Sequence, residues 1–319
     1  MPRHVTSDDD EPLEDKTAAL SLRSKRTGRM WKKQAKRDRK REAVLTLTKL
    51  PTELILECLK LLQPGDVLRF GFVNRRFRSL VDANAAVLGG AFLGTRYPLL
   101  VQCFPLPKRL AEVDAALQAL LVHPKRQSQL GIHRKPYQHV PPPDPNVLCT
   151  CLTCVMSWNN LCLVLDFAHW QDNLDKGEPI PIVPRGQSPQ WNQQLVHRNA
   201  NIVRLAIRDP LWHARILETH LDSTIRSIRR HAKNKGNKRK HVEMTDEEAE
   251  LGTDRFLSKP GPSSFEFPYI RDEYYLLEAY LPNRTWRTPE QKWLYIIEGQ
   301  HERDLGMVVH FAKRVQEPT

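Results

Sequence analysis

From Leu47 the sequence turns from polar and charged to closely spaced leucines, and breakers cut this leucine-rich stretch into pieces too short for one long helix. Pro51 suits the first position of a helix, and Leu54, Ile55, Cys58, Leu59 and Leu62 then recur at the spacing of one helical face. Gln63-Pro64-Gly65-Asp66 interrupts that stripe. A second short helix carries Val67, Leu68, Phe72 and Val73, and a third, from Asn74, carries Phe77 and Leu80 beside Arg75, Arg76 and Arg78. Three helices within about 35 residues bury little surface, and units under about 40 residues usually need a metal, disulfides or a partner. The apolar surface left over therefore asks for another protein.

Residues 1–44 are almost wholly polar and charged, cannot offset the entropy of ordering by burial, and read as a disordered basic tail. Residues 23–41 hold eleven Lys/Arg against Asp38 alone and contribute +10 to a formal net charge of +12. A second block, Arg229, Arg230, Lys233, Lys235, Lys238, Arg239 and Lys240, adds +7, which leaves −5 elsewhere. The charge is local and implies no basic folded face. Arg23, Lys25, Arg26, Lys32, Lys33, Lys36, Arg37, Arg39, Lys40 and Arg41 form a candidate nuclear import signal. Trp31 stands alone among them, so a stacking platform for single-stranded nucleic acid is missing, and nucleic acid is not an expected partner. The alternative function, a nucleic-acid- or chromatin-associated protein, rests on these two blocks.

No apolar run approaches the roughly 20 residues of a membrane span. Asp8, Asp9, Asp10 and Glu11, close behind Met1, do not fit a secretory signal. The chain is expected in the nucleus and/or cytoplasm, with its six cysteines as reduced thiols.

Downstream, Lys108 to Val122 has helical spacing and reads as a connecting helix, and six prolines in residues 123–147 mark a linker. Ser188-Pro189, Asp209-Pro210 and Thr288-Pro289 each place a capping side chain before a proline suited to a helix start. Helices are expected near 148–174, 189–207, 210–231, 245–257, 269–280, 289–297 and 300–315. No internal repeat supports a repeat architecture.

Cys149-x-Cys151-x2-Cys154, followed by Cys162 and His169, offers four zinc ligands. Cys151, Cys154, Trp158, Cys162, Leu165 and His169 also recur as one helical stripe, where free cysteine behaves as a small hydrophobe. The stripe is the preferred reading, and neither a metal nor a cofactor is expected. His301-Glu302 opens like a zinc-protease helix, but Leu305 stands where the second histidine is needed. Neither a phosphate-binding Gly-rich loop ending in Gly-Lys-Ser/Thr nor a Gly-x-Ser-x-Gly elbow is present, so no catalytic residue is assigned and no enzyme is expected. Trp191, Trp212, Phe265, Phe267, Tyr269, Tyr274, Tyr275, Tyr280, Trp286 and Trp293 read as core aromatics first and as a binding surface second.

The segment LPTELILECLKLLQPGDVLRFGFVNRRFRSL resembles an F-box. Leu50, Pro51, Glu53 and Leu54 match the opening motif, Leu59, Leu62 and Leu68 the helical leucines, and Val73, Arg76, Phe77 and Leu80 the closing motif. Asn74 departs from a common cysteine or similar small residue, and Phe77 from a frequent tryptophan. The resemblance implies that these residues build a three-helix module and bind a Skp-family adaptor. Through it the chain meets a cullin, as the non-catalytic subunit that recruits a protein target to a ubiquitin ligase. Residues from Cys149 onward loosely resemble the C-terminal part of fungal F-box proteins, through NNLCLVLDFAHWQ, NKGNKRKH and EAYLPNRTW. The expected fold is mostly α: a basic tail at 1–44, the F-box at 45–93, a connecting helix and Pro-rich linker at 94–147, and a larger helical domain at 148–319 for the target.

Overall fold

The structure, a computed structural model, describes residues 25–42, 47–129, 139–184, 186–236, 241–262, 270–277, 280–295 and 299–316. Residues 1–24 and 43–44 of the expected tail lie outside these, as do 45–46, Pro136, Lys238, Arg239, Lys240, Phe265, Phe267 and Tyr269. The chain divides into two compact units, Met1–Ile55 and Leu56–Thr319.

In the first unit, part of the expected disordered tail is a helix, α1 (Lys25–Glu42). Lysine, arginine, glutamine and alanine carry good helix propensity, so local preference suffices where burial is absent. Met30 and Trp31 are exposed on it. A 3₁₀ turn, Leu47–Lys49, precedes α2 (Thr52–Leu61), in which the division between units falls.

The second unit contains α3 (Pro64–Gly71) and α4 (Arg75–Thr95), the remaining helices of the leucine-spaced segment. Pro64 occupies the start of α3, where a missing N–H costs nothing. The Asn74 side chain caps α4 by accepting from the Phe77 N–H at 2.9 Å, which gives a physical reason for that departure. Phe70 and Phe77 stack with centroids 4.2 Å apart.

Next come α5 (Leu100–Cys103), α6 (Ala115–Val122), α7 (Pro124–Gln129), α8 (Leu152–His169), α9 (Gln171–Lys176), α10 (Gln190–Arg208), α11 (Pro210–Lys233) and α12 (Asp246–Glu250). A two-stranded antiparallel sheet, β1 (Arg284–Arg287) and β2 (Lys292–Tyr295), precedes the final helix, α13 (Gln300–Gln316). Among the described residues, no helix is long and apolar enough to cross a membrane.

Several sequence expectations shift. Of the helix expected near 289–297, the described residues 289–295 form a turn and strand β2: Gln291 takes φ 49°, and Trp286 faces Trp293 across the hairpin. The helix over Lys108 to Val122 begins only after Asp114, whose side chain accepts from the Ala116 N–H. Among the described residues, α12 and the 3₁₀ turns Arg255–Ser258 and Arg271–Leu276 stand where helices near 245–257 and 269–280 were expected.

The second unit, Leu56–Thr319, includes the expected connecting segment 94–147. Helix α11 packs on α3 and α4 as well as on α8 and α10. Gly89 of α4 meets the α11 start so closely that a Cβ there would lie 2.3 Å from Pro210 C and Leu211 N. The Gly65 N–H donates to Glu218 at 2.7 Å, and Arg215 pairs with that carboxylate at 2.9 Å. At the described end of the Pro-rich stretch, Trp158 Nε1–H donates to the Pro141 carbonyl at 2.7 Å, and Val140 and Leu148 are buried. Proline lacks a donor but keeps its acceptor, so such a segment can be tied down through carbonyls.

Helix α8 runs through the interior, and its Asp166 is fully buried. Arg271 donates to both Asp166 oxygens at 3.1 Å and to Asn192 at 2.9 Å, and Tyr274 O–H donates to Asp166 at 2.9 Å. The Arg271 guanidinium also lies over the Trp170 and Trp191 rings. Of the aromatics expected in the core, Tyr274 and Tyr280 are buried, Trp212, Tyr275, Trp286 and Trp293 are half-buried, and Trp191 is exposed.

Candidate functional site

The residues matched to the motif fall into two groups by burial. Leu59 and Phe77 are buried, each 2% exposed. Pro51, Glu53, Leu54, Leu62, Val73 and Arg76 are exposed, and Leu50, Leu68 and Leu80 are intermediate. Along α2, helical spacing sets Ile55 and Leu59 on one face, both buried, and Leu54, Cys58 and Leu61 on another, all exposed. Leu61 at 78% and Phe72 at 71% exposure were not singled out as contacts from the sequence. Phe72 sits at the C-terminal end of α3, just before the Asn74 cap, where the turn carries it outward. Large apolar side chains grouped in the open mark a surface that meets another protein.

A second constellation differs from the one read in the sequence. Cys149, Cys151 and Cys154 are buried and come together with His301 of α13, all four ligand atoms lying within 4.8 Å of one another. Cys162 and His169 are not part of this group. Cys151 is the extended residue ahead of α8 and Cys154 sits in its first turn, so the x2 spacing brings both sulfurs to the helix start. His301 Nδ1 is 3.3 Å from Cys151 Sγ and 3.4 Å from Cys154 Sγ. Three residues on, Asp304 ties α13 to the start of α8 by accepting from the Thr153 N–H at 2.7 Å, and it also accepts from Gln300 Nε2 at 2.9 Å. Hydrogen bonds from the Cys151 and Cys154 thiols lower the Cys149 pKa, while the bond to Cys149 is the main cause that raises those of the other two.

Cys151, Cys154, Trp158, Cys162 and Leu165 of the expected stripe are buried, whereas His169 is exposed. Cys154 and Cys162 are buried on α8, but Cys151 and Cys154 face a histidine about 150 residues away, a pairing that helical periodicity does not encode.

Residues 47–85 match the family model of the F-box domain. No curated protein and no solved structure matches the chain.

Proposed function

We propose, from the F-box domain at residues 47–85, that this chain is the non-catalytic, target-recruiting subunit of a cullin-RING ubiquitin ligase. F-box domains bind Skp-family subunits, and through them cullins. The observation that carries the reading is the family match together with the exposure of Pro51, Leu54, Leu62 and Val73 within it. In this reading Leu50, Pro51, Glu53, Leu54, Leu62, Leu68, Val73, Arg76 and Leu80 contact the adaptor, while Leu59 and Phe77 hold the helices that present them. The part of the chain beyond the domain binds the target, and ubiquitin transfer follows from proximity on another subunit's chemistry.

Replacing Leu50 and Pro51 together by alanine should weaken co-purification with a Skp-family adaptor by roughly 30-fold or more, since a central anchor commonly contributes about 2 kcal/mol or more. Both residues lie outside the unit Leu56–Thr319, so circular dichroism of the chain should stay near wild type. A folded double variant that retains wild-type adaptor binding sinks the assignment. Mass spectrometry of proteins captured with and without residues 47–85 identifies the target.

The basic residues of α1 support a further part of the reading, nuclear import. Lys25, Arg26, Lys32, Lys33, Lys36, Arg37 and Arg39 are exposed on a helix, accessible to an import receptor. Deleting residues 23–41 should move a tagged chain from nucleus to cytoplasm, and an unchanged distribution by fluorescence microscopy removes that role.

A further inference from the structure

We propose that Cys149, Cys151, Cys154 and His301 are the four ligands of a structural zinc ion that ties α13 to the start of α8. Neither the F-box domain at 47–85 nor the adaptor function derived from it calls for a metal, and the site lies in a different part of the chain.

Four observations carry the assignment. The first is the donor set, three thiol sulfurs and one imidazole nitrogen, which is a set that structural zinc sites use. The second is spacing. Tetrahedral coordination at about 2.3 Å from sulfur and about 2.0 Å from nitrogen puts sulfurs about 3.8 Å apart and sulfur and nitrogen about 3.5 Å apart. The Sγ to Nδ1 separations of 3.3 and 3.4 Å come close to that edge, and all six edges are at most 4.8 Å. Small movements of side chains alone would close the four atoms on one centre.

The third is the treatment of the sulfurs by the backbone. The Cys151 N–H donates to Cys149 Sγ at 3.4 Å, and the Lys108 N–H donates to Cys154 Sγ at the same distance. Amide donors aimed at sulfur suit a thiolate, the form that ligates a metal. The fourth is closure. Cys149, Cys151 and Cys154 are at most 2% exposed, His301 is half-buried, and Leu110, Val113, Leu121 and Val308 pack around the sulfurs. Four protein ligands in an apolar surround leave no open position for substrate or water, which marks a structural rather than a catalytic centre.

Binding releases the thiol protons to solvent and leaves the metal's oxidation state unchanged, because zinc has no redox chemistry here. The physical gain is a crosslink between segments far apart in sequence, added to the Asp304 hydrogen bonds and the contacts of α13 on α6 and α8.

The test is the metal content of the full chain purified from zinc-containing medium without chelator and under reducing conditions. One zinc per chain is expected, and cobalt substituted for it should show the intense visible bands of tetrahedral thiolate coordination. His301→Ala and Cys151→Ser should lose the metal. His301→Cys should keep it, because four cysteines satisfy the same geometry, and so should Cys162→Ser and His169→Ala, which change residues outside the group. If the cysteine variants fail to fold, the wild-type cobalt spectrum and the His301→Ala and His301→Cys pair still decide. A wild-type chain without zinc, a disulfide within the trio, or zinc retained in His301→Ala overturns the proposal.

Discussion

Asp166→Ala should lower the unfolding free energy by about 3–5 kcal/mol, the scale at which a buried ion loses its partner. The Asp166 side chain is fully buried and that of Arg271 is 4% exposed, so water cannot replace the missing carboxylate. Two Arg271 N–H groups and the Tyr274 hydroxyl all donate to Asp166, and among the described residues only the Arg271 Nη2 of the three has another protein acceptor, Asn192. Burial pushes the Tyr274 hydroxyl well above its ordinary pKa, so it remains a donor at any ordinary pH. The Trp170 and Trp191 faces stabilise the guanidinium, but a cation on a ring does not satisfy its N–H groups. Guanidinium denaturation with an unchanged m-value measures the loss. The double replacement Asp166→Leu with Arg271→Met removes both charges and should cost less than Asp166→Ala alone. A loss below about 1 kcal/mol for the single change would mean that the pair is hydrated.

Gly89→Ala should destabilise the chain by at least about 3 kcal/mol, at the upper end for overpacking, because the added methyl meets backbone rather than a movable side chain. The obstructing atoms are Pro210 C and Leu211 N, both 2.3 Å from the position of the new carbon. Those atoms belong to the first turn of α11, fixed by the Asp209 side chain accepting from the Leu211 N–H at 2.8 Å and by the ring of Pro210. Relief therefore requires α4 and α11 to part, and with them contacts of α11 on α8 and α10. The neighbouring Gly90→Ala is the control: nothing lies within 4 Å of its added carbon. Alanine is favoured over glycine in a helix interior by up to about 1 kcal/mol, so that change should stabilise. Thermal unfolding of the two variants side by side should thus shift in opposite directions. Equal midpoints would refute the close crossing.

The same two glycines show how far reading residues in order can go. They look identical in sequence, and each weakens an apolar run equally, yet one is a contact point and the other faces open space. By contrast, the breaks at Pro64 and Asn74 and the helix start at Asp209-Pro210 were legible because capping and proline geometry act within a few residues. The motif residues were legible for a related reason. Leu-Pro-x-Glu-Leu and the Val-Asn-Arg-Arg-Phe ending lie at the starts of α2 and α4, where caps and turns set the local geometry. Their division into buried Leu59 and Phe77 and exposed Leu54 and Val73 depended on packing.

The hairpin at β1 and β2 was misread for the opposite cause. Thr288-Pro289 is a sound local start for a helix, but Gln291 at φ 49° turns the chain back, and the Trp286–Trp293 pair, with Arg284 over the Trp293 ring, makes the extended form better packed. A local preference of a few tenths of a kcal/mol gives way to such burial.

By itself, then, the sequence determined the class of fold, the three helices between Thr52 and Thr95 and the motif they carry, because caps, prolines and helical spacing are short-range forces. Only the tertiary structure decided that the helices from α3 onward share one unit with the C-terminal helices, and that His301, rather than Cys162 or His169, stands beside Cys149, Cys151 and Cys154. Both are matters of which distant surfaces bury against each other. That choice is made by the summed packing of α8, α11 and α13, and no window of neighbouring residues contains it.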